Sequence, residues 1–123
     1  GEIVKSISLP NPKGSAVYER FDLRQGNSLA VAAVAANITM EDNTITDAKV
    51  ALGAVAPTPG IVGGVNDILV GNRVSDSLIG EVAQLSMRAA NPITDLRGSA
   101  QYRRELVGIL ATRAIKRAVG VAQ

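Results

Sequence analysis

Hydrophobic and polar residues alternate with a period of two through the first part of the chain, which is the pattern of β-strands. The alternation from Glu2 to Leu9 predicts a strand or an extended lead-in, and Pro10 to Gly14 then break the chain. The alternation from Ala16 to Arg24 predicts a second strand with one apolar and one polar face. The apolar face would present Val17, Phe21 and Leu23, and the polar face Tyr18, Arg20, Asp22 and Arg24.

The segment from Leu29 to Ala36 contains only Leu, Ala and Val, so its Ala content suits a helix and its Val content suits a buried strand. Its surroundings favour the strand. Asn37 to Met40 is β-like, Glu41 to Asn43 is turn-like, and Thr44 to Leu52 alternates again. The sequence therefore predicts a β-hairpin in this region.

Apolar positions change to helical spacing after Pro57 and Pro59. A weak helix is predicted from about Ile61 to Val70, although its glycines are unfavourable inside a helix. Ser75 is the expected N-cap of a better helix that ends near Ala90. Its core-facing stripe would be Leu78, Val82, Leu85 and Ala89.

A last helix is predicted from Ser99 to about Ala118. Its apolar face would present Leu106, Val107, Leu110, Ala111, Ala114 and Ala118. Strands followed by helices predict one α+β domain over residues 1–123, in which a small antiparallel sheet has one face covered by helices. The lead-in would occupy residues 1–14, the sheet residues 15–56 and the helices residues 60–119.

The amino-acid composition determines the kind of core and excludes several kinds of functional site. Aromatic residues are only 2% of the 123 residues, so Ala, Val, Ile and Leu must form a core of small, closely packed side chains. The chain has no His and no Cys, which excludes disulfides, iron–sulfur or zinc sites of the usual ligand types, a Cys nucleophile and a His base. No apolar run approaches the roughly 20 residues that span a bilayer, and we expect a cytoplasmic protein.

Seven of the 13 cations lie in the C-terminal third, although the net charge is only +2. A nucleic-acid surface would use such cations, but no aromatic residues alternate with them for base stacking. We interpret them as the solvated face of an amphipathic helix and expect no nucleic-acid partner. They are Arg88, Arg97, Arg103, Arg104, Arg113, Lys116 and Arg117.

Four strings of residues carry a family resemblance: Tyr18–Arg24, Ser28–Ala32, Leu52–Pro59 and Asp95–Arg104. In this order and spacing they resemble the C-terminal domain of the flavin-binding medium subunit of molybdenum hydroxylases, the family of carbon monoxide dehydrogenase and xanthine dehydrogenase. The resemblance implies a three-stranded antiparallel sheet packed against a three-helix bundle. This agrees with the fold predicted from the residue pattern.

The resemblance also implies FAD, held mainly by a preceding domain that this sequence does not contain. The usual glycine-rich phosphate loop is absent, since Gly60, Gly63 and Gly64 stand in a helix-like context and not after a strand. We therefore expect the isolated chain to lack tightly bound FAD. The implied partners are a molybdenum-cofactor large subunit and an iron–sulfur small subunit.

Four residues correspond to flavin-side positions of the family. Tyr18 and Arg24 match its aromatic and basic positions, and Arg20 stands where the family often has a Lys that reaches towards the isoalloxazine. Leu29 stands where the family places a side chain against one face of the ring, and an aliphatic residue there would shield the ring sterically. The alternatives are a solvated face on which Arg20 pairs with Glu19 or Asp22, and an ordinary core position for Leu29.

The sequence thus leads to two hypotheses of different classes. In the first, the chain is part of the wall of the FAD site and a docking surface in an oxidoreductase complex, and carries no proton or nucleophile chemistry itself. In the second, it is a non-catalytic assembly module that self-associates through an exposed sheet face. Asp95, Arg97 and Tyr102 are assigned to structure in both, through loop hydrogen bonds and helix anchoring.

Overall fold

The structure is a computed structural model that describes residues 1–9, 11 and 13–120. Within these residues, four strands precede three helices. The strands are β1 (Ser15–Asp22), β2 (Ala30–Glu41), β3 (Thr44–Gly53) and β4 (Gly60–Ile61). The helices are α1 (Val65–Leu69), α2 (Asp76–Ala89) and α3 (Ala100–Ala118).

The strands form one antiparallel sheet in the order β1-β2-β3-β4. Asp42 and Asn43 join β2 to β3 with φ angles of 48° and 63°. Two consecutive residues with positive φ are typical of the tight turn whose twist matches that of antiparallel strands. The predicted β-hairpin is therefore confirmed.

The sheet has four strands, whereas the family resemblance implied three. Gly60 and Ile61 pair with Leu52 and Ala51 as β4, so the helix predicted from about Ile61 to Val70 is wrong over its first part. Gly64 has a φ of 81°, a left-handed conformation that glycine adopts without steric cost. This turn delays the helix, and α1 comprises only five residues.

The lead-in contributes no strand to the described structure. Residues 1–9 carry no regular secondary structure, and their large apolar side chains are 79% to 93% exposed. They are Ile3, Val4, Ile7 and Leu9. Of the predicted break, Pro10 and Pro12 lie outside the described residues.

The helices cover one face of the sheet. α3 packs against β1 and β2, and α2 packs against α3. The core between them consists of Ala, Val, Ile and Leu, as the composition predicted. Gly108 of α3 faces Met87 of α2 so closely that an added Cβ would lie 2.7 Å from the Met87 sulfur. Small residues therefore allow the close approach of these two helices.

The predicted ends of the two long helices are confirmed within a residue. Ser75 and Ser99 cap the first turns, as predicted, by accepting hydrogen bonds from Leu78 N and Tyr102 N. Of the predicted core-facing stripe of α2, Val82 is buried, Leu78 and Leu85 pack against the core from its edge, and only Ala89 is wrong. Leu78 and Leu85 are only half-buried and Ala89 is exposed. The buried residues of α2 are Ile79, Val82, Ala83 and Ser86.

Ser86 is a polar residue on the buried face of α2. Its hydroxyl donates to Val82 O at 2.8 Å, which satisfies the polar group inside the core. Hydrophobicity alone therefore does not identify Ser86 as part of the buried face of α2. On α3, by contrast, the six predicted core residues are all buried.

Gly14 and Gly26 allow a matched test of the packing at the start of β1. Both have a φ of 82°, but an added Cβ has open space at Gly26, whereas at Gly14 it would lie 2.8 Å from the Ile38 carbonyl carbon. Gly26→Ala should therefore cost about 1 kcal/mol from its backbone conformation. Gly14→Ala should cost about 1–3 kcal/mol more through the clash. Urea unfolding of both variants measures this difference, and equal losses would contradict the packing described.

Candidate functional site

Two of the four predicted flavin-side residues lie on the sheet face that points away from the helices. Tyr18 and Arg20 occupy neighbouring outward positions of β1, and the Tyr18 ring is exposed. The positions opposite them on β2 and β3 are all small: Ala33, Ala35, Ala51 and Gly53. This part of the outer face is a flat, largely apolar floor beside an aromatic ring and a cation.

The Arg20 guanidinium is held by Asp22. Its Nε donates to Asp22 Oδ2 at 2.6 Å, and its Nη2 contacts the same oxygen in an ion pair. The Arg20 side chain is 47% exposed, whereas that of Asp22 is 18% exposed. Asp22 Oδ1 is buried and has no hydrogen-bond partner among the described residues, so it retains an acceptor.

Arg24 and Leu29 both lie in the connection between β1 and β2. The prediction that Arg24 and Leu23 belong to the second strand is wrong, since β1 ends at Asp22. Arg24 instead donates to Asn27 O at 2.8 Å within the loop. Leu29 immediately precedes β2 and is 76% exposed, which excludes an ordinary core position in the described structure.

The four residues share one region of the fold. Asp22 is opposite Ala30 in the sheet, which places Leu29 beside the end of the strand that carries Arg20. The structure therefore groups Arg20, Arg24 and Leu29 at one end of the β1–β2 pair. Tyr18 lies two residues before Arg20 on β1, towards the middle of the strand.

Arg103 was absent from the predicted site residues, yet it is only 2% exposed. It lies on α3 and donates to carbonyls of three separate segments: to Val31 O at 3.1 Å, to Ile93 O at 2.8 Å and to Ala54 O. Helical spacing could have identified it, because Arg103 stands three and four residues before Leu106 and Val107 on the buried face.

The loop before α3 is built around Asp95. Its carboxylate accepts hydrogen bonds from Arg97 N at 2.8 Å and Arg97 Nε at 2.9 Å, and it lies 3.4 Å from Arg103 Nη1. Asp95 and Gly98 also exchange backbone hydrogen bonds. Tyr102 packs edge-to-face on Phe21 with the ring centroids 6.4 Å apart. These contacts support the structural roles predicted for Asp95, Arg97 and Tyr102.

The electrostatics of this loop follow from the same contacts. Hydrogen bonds from the Arg97 side chain and backbone hold the pKa of Asp95 below its ordinary value of 3.8. The hydrogen bond with the Asp95 carboxylate in turn raises the pKa of Arg97. The loop therefore contains an ion pair that persists down to acidic pH.

Several cations of the C-terminal third are engaged in ion pairs. Arg97 and Arg103 contact Asp95, Lys116 contacts Asp76 at 2.8 Å, and Arg117 of α3 contacts Glu19 of β1. The interpretation of these cations as a solvated face is therefore wrong for Arg103, which is buried and bonded to backbone carbonyls. None of the described helices has the length and apolar character needed to cross a membrane.

The model of the CO dehydrogenase flavoprotein C-terminal domain family matches residues 16–118. The chain belongs to this family. The assignment made from the four residue strings is thus confirmed, and the sheet, the helices and the β1–β2 connection described above are those of a flavoprotein C-terminal domain.

Two proteins that the chain resembles are medium chains of dehydrogenases. The chain is 34% identical over 116 residues to the glyceraldehyde dehydrogenase medium chain of Sulfolobus acidocaldarius, covering 94% of the chain. It is 30% identical over 120 residues to the carbon monoxide dehydrogenase medium chain of Afipia carboxidovorans, covering 96% of the chain. Each match covers 41% of the relative, so the chain spans about two-fifths of the length of these proteins.

Solved structures share the fold. Quinoline 2-oxidoreductase from Pseudomonas putida superposes with a TM-score of 0.84 and 28% identity, over 91% of this chain and 39% of that one. The Cu,Mo-CO dehydrogenase superposes with a TM-score of 0.83 and 29% identity, over 93% and 40%. The predicted α+β class is therefore confirmed.

The ion pair of Asp95 predicts how stability depends on pH. The unfolded chain protonates Asp95 near its ordinary pKa, and the folded chain does so at lower pH. Asp95→Asn should therefore be less stable than the wild type at neutral pH, and the difference should shrink as the pH falls below about 3.8. Urea unfolding across this range measures it. Asp76→Asn is the control, because the Asp76 side chain is 85% exposed and should show little effect at any pH.

Proposed function

We propose that this domain forms part of the wall of the FAD isoalloxazine site in the flavoprotein subunit of a molybdenum-containing dehydrogenase or hydroxylase. Family membership and the medium-chain relatives support the class of protein. The single observation that carries the site is the exposed Leu29 beside Arg20 and Arg24, at one end of the β1–β2 pair.

The chemistry of these residues suits one edge and one face of a flavin ring. Leu29 offers an exposed aliphatic surface that can cover a planar ring and exclude water from it. The Arg20 fork, already oriented by Asp22, can donate to a ring carbonyl or stabilise negative charge on the reduced ring. Asp22 acts on the ring only through Arg20, because its own free oxygen, Oδ1, is buried.

The rest of FAD would be held outside this domain. Gly60 belongs to β4, and Gly63 and Gly64 lead into a helix of only five residues, so these glycines build a turn of the fold. The relatives are longer than the chain, which is consistent with phosphate binding elsewhere in a complete subunit. FAD supplies the redox chemistry when bound, and the residues of this domain orient and shield its ring.

In the complete assembly, electrons would pass from iron–sulfur clusters of a small subunit through FAD to an acceptor. A large subunit with a molybdenum cofactor would oxidise the substrate. Crystallised relatives include a copper–molybdenum enzyme, which fits such partners. The absence of His and Cys fits a domain without proton or nucleophile chemistry of its own. The expected setting is the cytoplasm.

Self-association is the competing function. Tyr18 and Ile61, on the outer face of the sheet, are 57% and 72% exposed. An uncovered apolar face of this kind favours pairing with a second copy of the chain. A monomeric mass in size-exclusion chromatography with light scattering would exclude this alternative.

The purified chain should be colourless and should bind flavin only weakly. FMN is a soluble probe that carries the same ring, and titration into the isotope-labelled chain should shift the NMR signals of Tyr18, Arg20, Arg24 and Leu29. Arg20→Ala should reduce these shifts because the oriented cation is lost. Arg113→Ala, on the exposed side of α3, should leave them unchanged.

Inorganic phosphate serves as the control for FMN, because it tests whether the phosphate group alone attracts the arginines. Shifts caused by phosphate alone, or FMN shifts confined to the helices, would contradict the proposed wall. A yellow protein with stoichiometric flavin would contradict the expectation that FAD is held mainly by another domain.

A further inference from the structure

Val31 interrupts the pairing of β1 with β2. Phe21 is opposite Ala32, but the next residue, Asp22, is opposite Ala30, so Val31 is an extra residue in β2. The pairing of β2 with β3 begins only at Ala33. Val31 is therefore the bulged residue of this strand, and such bulges change the direction in which neighbouring side chains point.

A bulged residue leaves backbone groups outside the ladder, and Val31 is fully buried. A buried carbonyl without a partner is destabilising. Arg103 supplies the partner, because its Nε donates to Val31 O at 3.1 Å. Leu29 lies two residues before this carbonyl and is the exposed residue of the proposed flavin wall.

The other two donor groups of Arg103 bind carbonyls of two further segments. Nη2 donates to Ala54 O directly after β3, where Ala54 has a φ of 63°. Nη1 donates to Ile93 O at 2.8 Å and faces Asp95. One planar guanidinium thus holds the start of β2, the end of β3 and the loop before α3 together.

We propose that Arg103 is the positioning residue of the flavin wall: it fixes the bulge at Val31 and thereby holds Leu29 in place against the isoalloxazine. This inference rests on the proposed function of Leu29. It assigns a role in flavin recognition to a buried residue that lies on the helical side of the domain. An ammonium group on a flexible stem cannot reproduce the planar fork, so Lys should not replace Arg103.

The variant Arg103→Lys tests the role, and Arg104→Lys is its matched control. Arg104 is the next residue of α3 and also donates to a carbonyl, but this is Ala90 O after α2. In Arg103→Lys, amide protons at the start of β2 should exchange at least about tenfold faster than in the wild type, because charged hydrogen bonds to the segment are lost. Arg104→Lys should leave their exchange unchanged.

FMN titration distinguishes a positioning role from a purely structural one. Loss of a purely structural residue would not remove the FMN-induced shift of Leu29 while leaving that of Tyr18. In Arg103→Lys the FMN-induced shift of the Leu29 methyl groups should be lost. The shift of Tyr18 should remain, because β1–β2 pairing holds Tyr18 independently of the bulge. Unchanged Leu29 shifts in Arg103→Lys, with wild-type shifts present, would overturn the role of Arg103 alone. Absence of FMN shifts at all these residues in the wild type would instead overturn the proposed function and, with it, this inference.

A measurement on the wild type covers the case in which Arg103→Lys does not fold. The Nε–H proton of Arg103 should exchange slowly and show a scalar coupling through the hydrogen bond to the Val31 carbonyl carbon. FMN should shift this signal together with the Leu29 methyl signals. A rapidly exchanging Nε–H, or a signal that stays unshifted while the Leu29 signals shift, would overturn the inference.

Discussion

The buried guanidinium of Arg103 is the interaction on which the arrangement of this domain depends. A charge inside a core of Ala, Val and Leu is costly unless hydrogen bonds surround it. Here the surrounding carbonyls come from Val31, Ala54 and Ile93, three points at which the regular backbone pairing stops. The cation and the irregular segments therefore stabilise each other, and α3 becomes fixed to the sheet at the end where the candidate site lies.

The two faces of the sheet differ, since the inner face forms the core and the outer face carries the candidate site. The inner face packs through small side chains against α3. Behind it, α3 approaches α2 so closely that Gly108 leaves no room for a side chain beside Met87. The outer face carries Tyr18 and Arg20 above a floor of alanines. A closely packed inner layer would suit the proposed flavin wall, because oriented side chains need fixed backbone beneath them.

Much of the fold could be predicted from local signals, and the errors have local causes. The turn at Asp42 and Asn43 and the caps at Ser75 and Ser99 are local features, and the structure has them as predicted. The two-residue strand β4 pairs with β3 across a short Pro- and Gly-rich connection, and two residues are too few to show an alternating pattern in the sequence. β1 ends at Asp22 because its partner β2 begins at Ala30, and alternation within one strand cannot indicate where the partner strand begins.

The residues of the candidate site are implied by the family resemblance, and the fold brings them together at one end of the β1–β2 pair. No pattern in the sequence links Leu29 to Arg103, since 72 residues separate Arg103 from Val31. The most direct test of the wall is a crystal structure of a complete flavoprotein subunit that contains this domain and FAD. Contact of the isoalloxazine with Leu29 and Arg20 is the predicted result, and a ring that contacts neither residue would contradict the account.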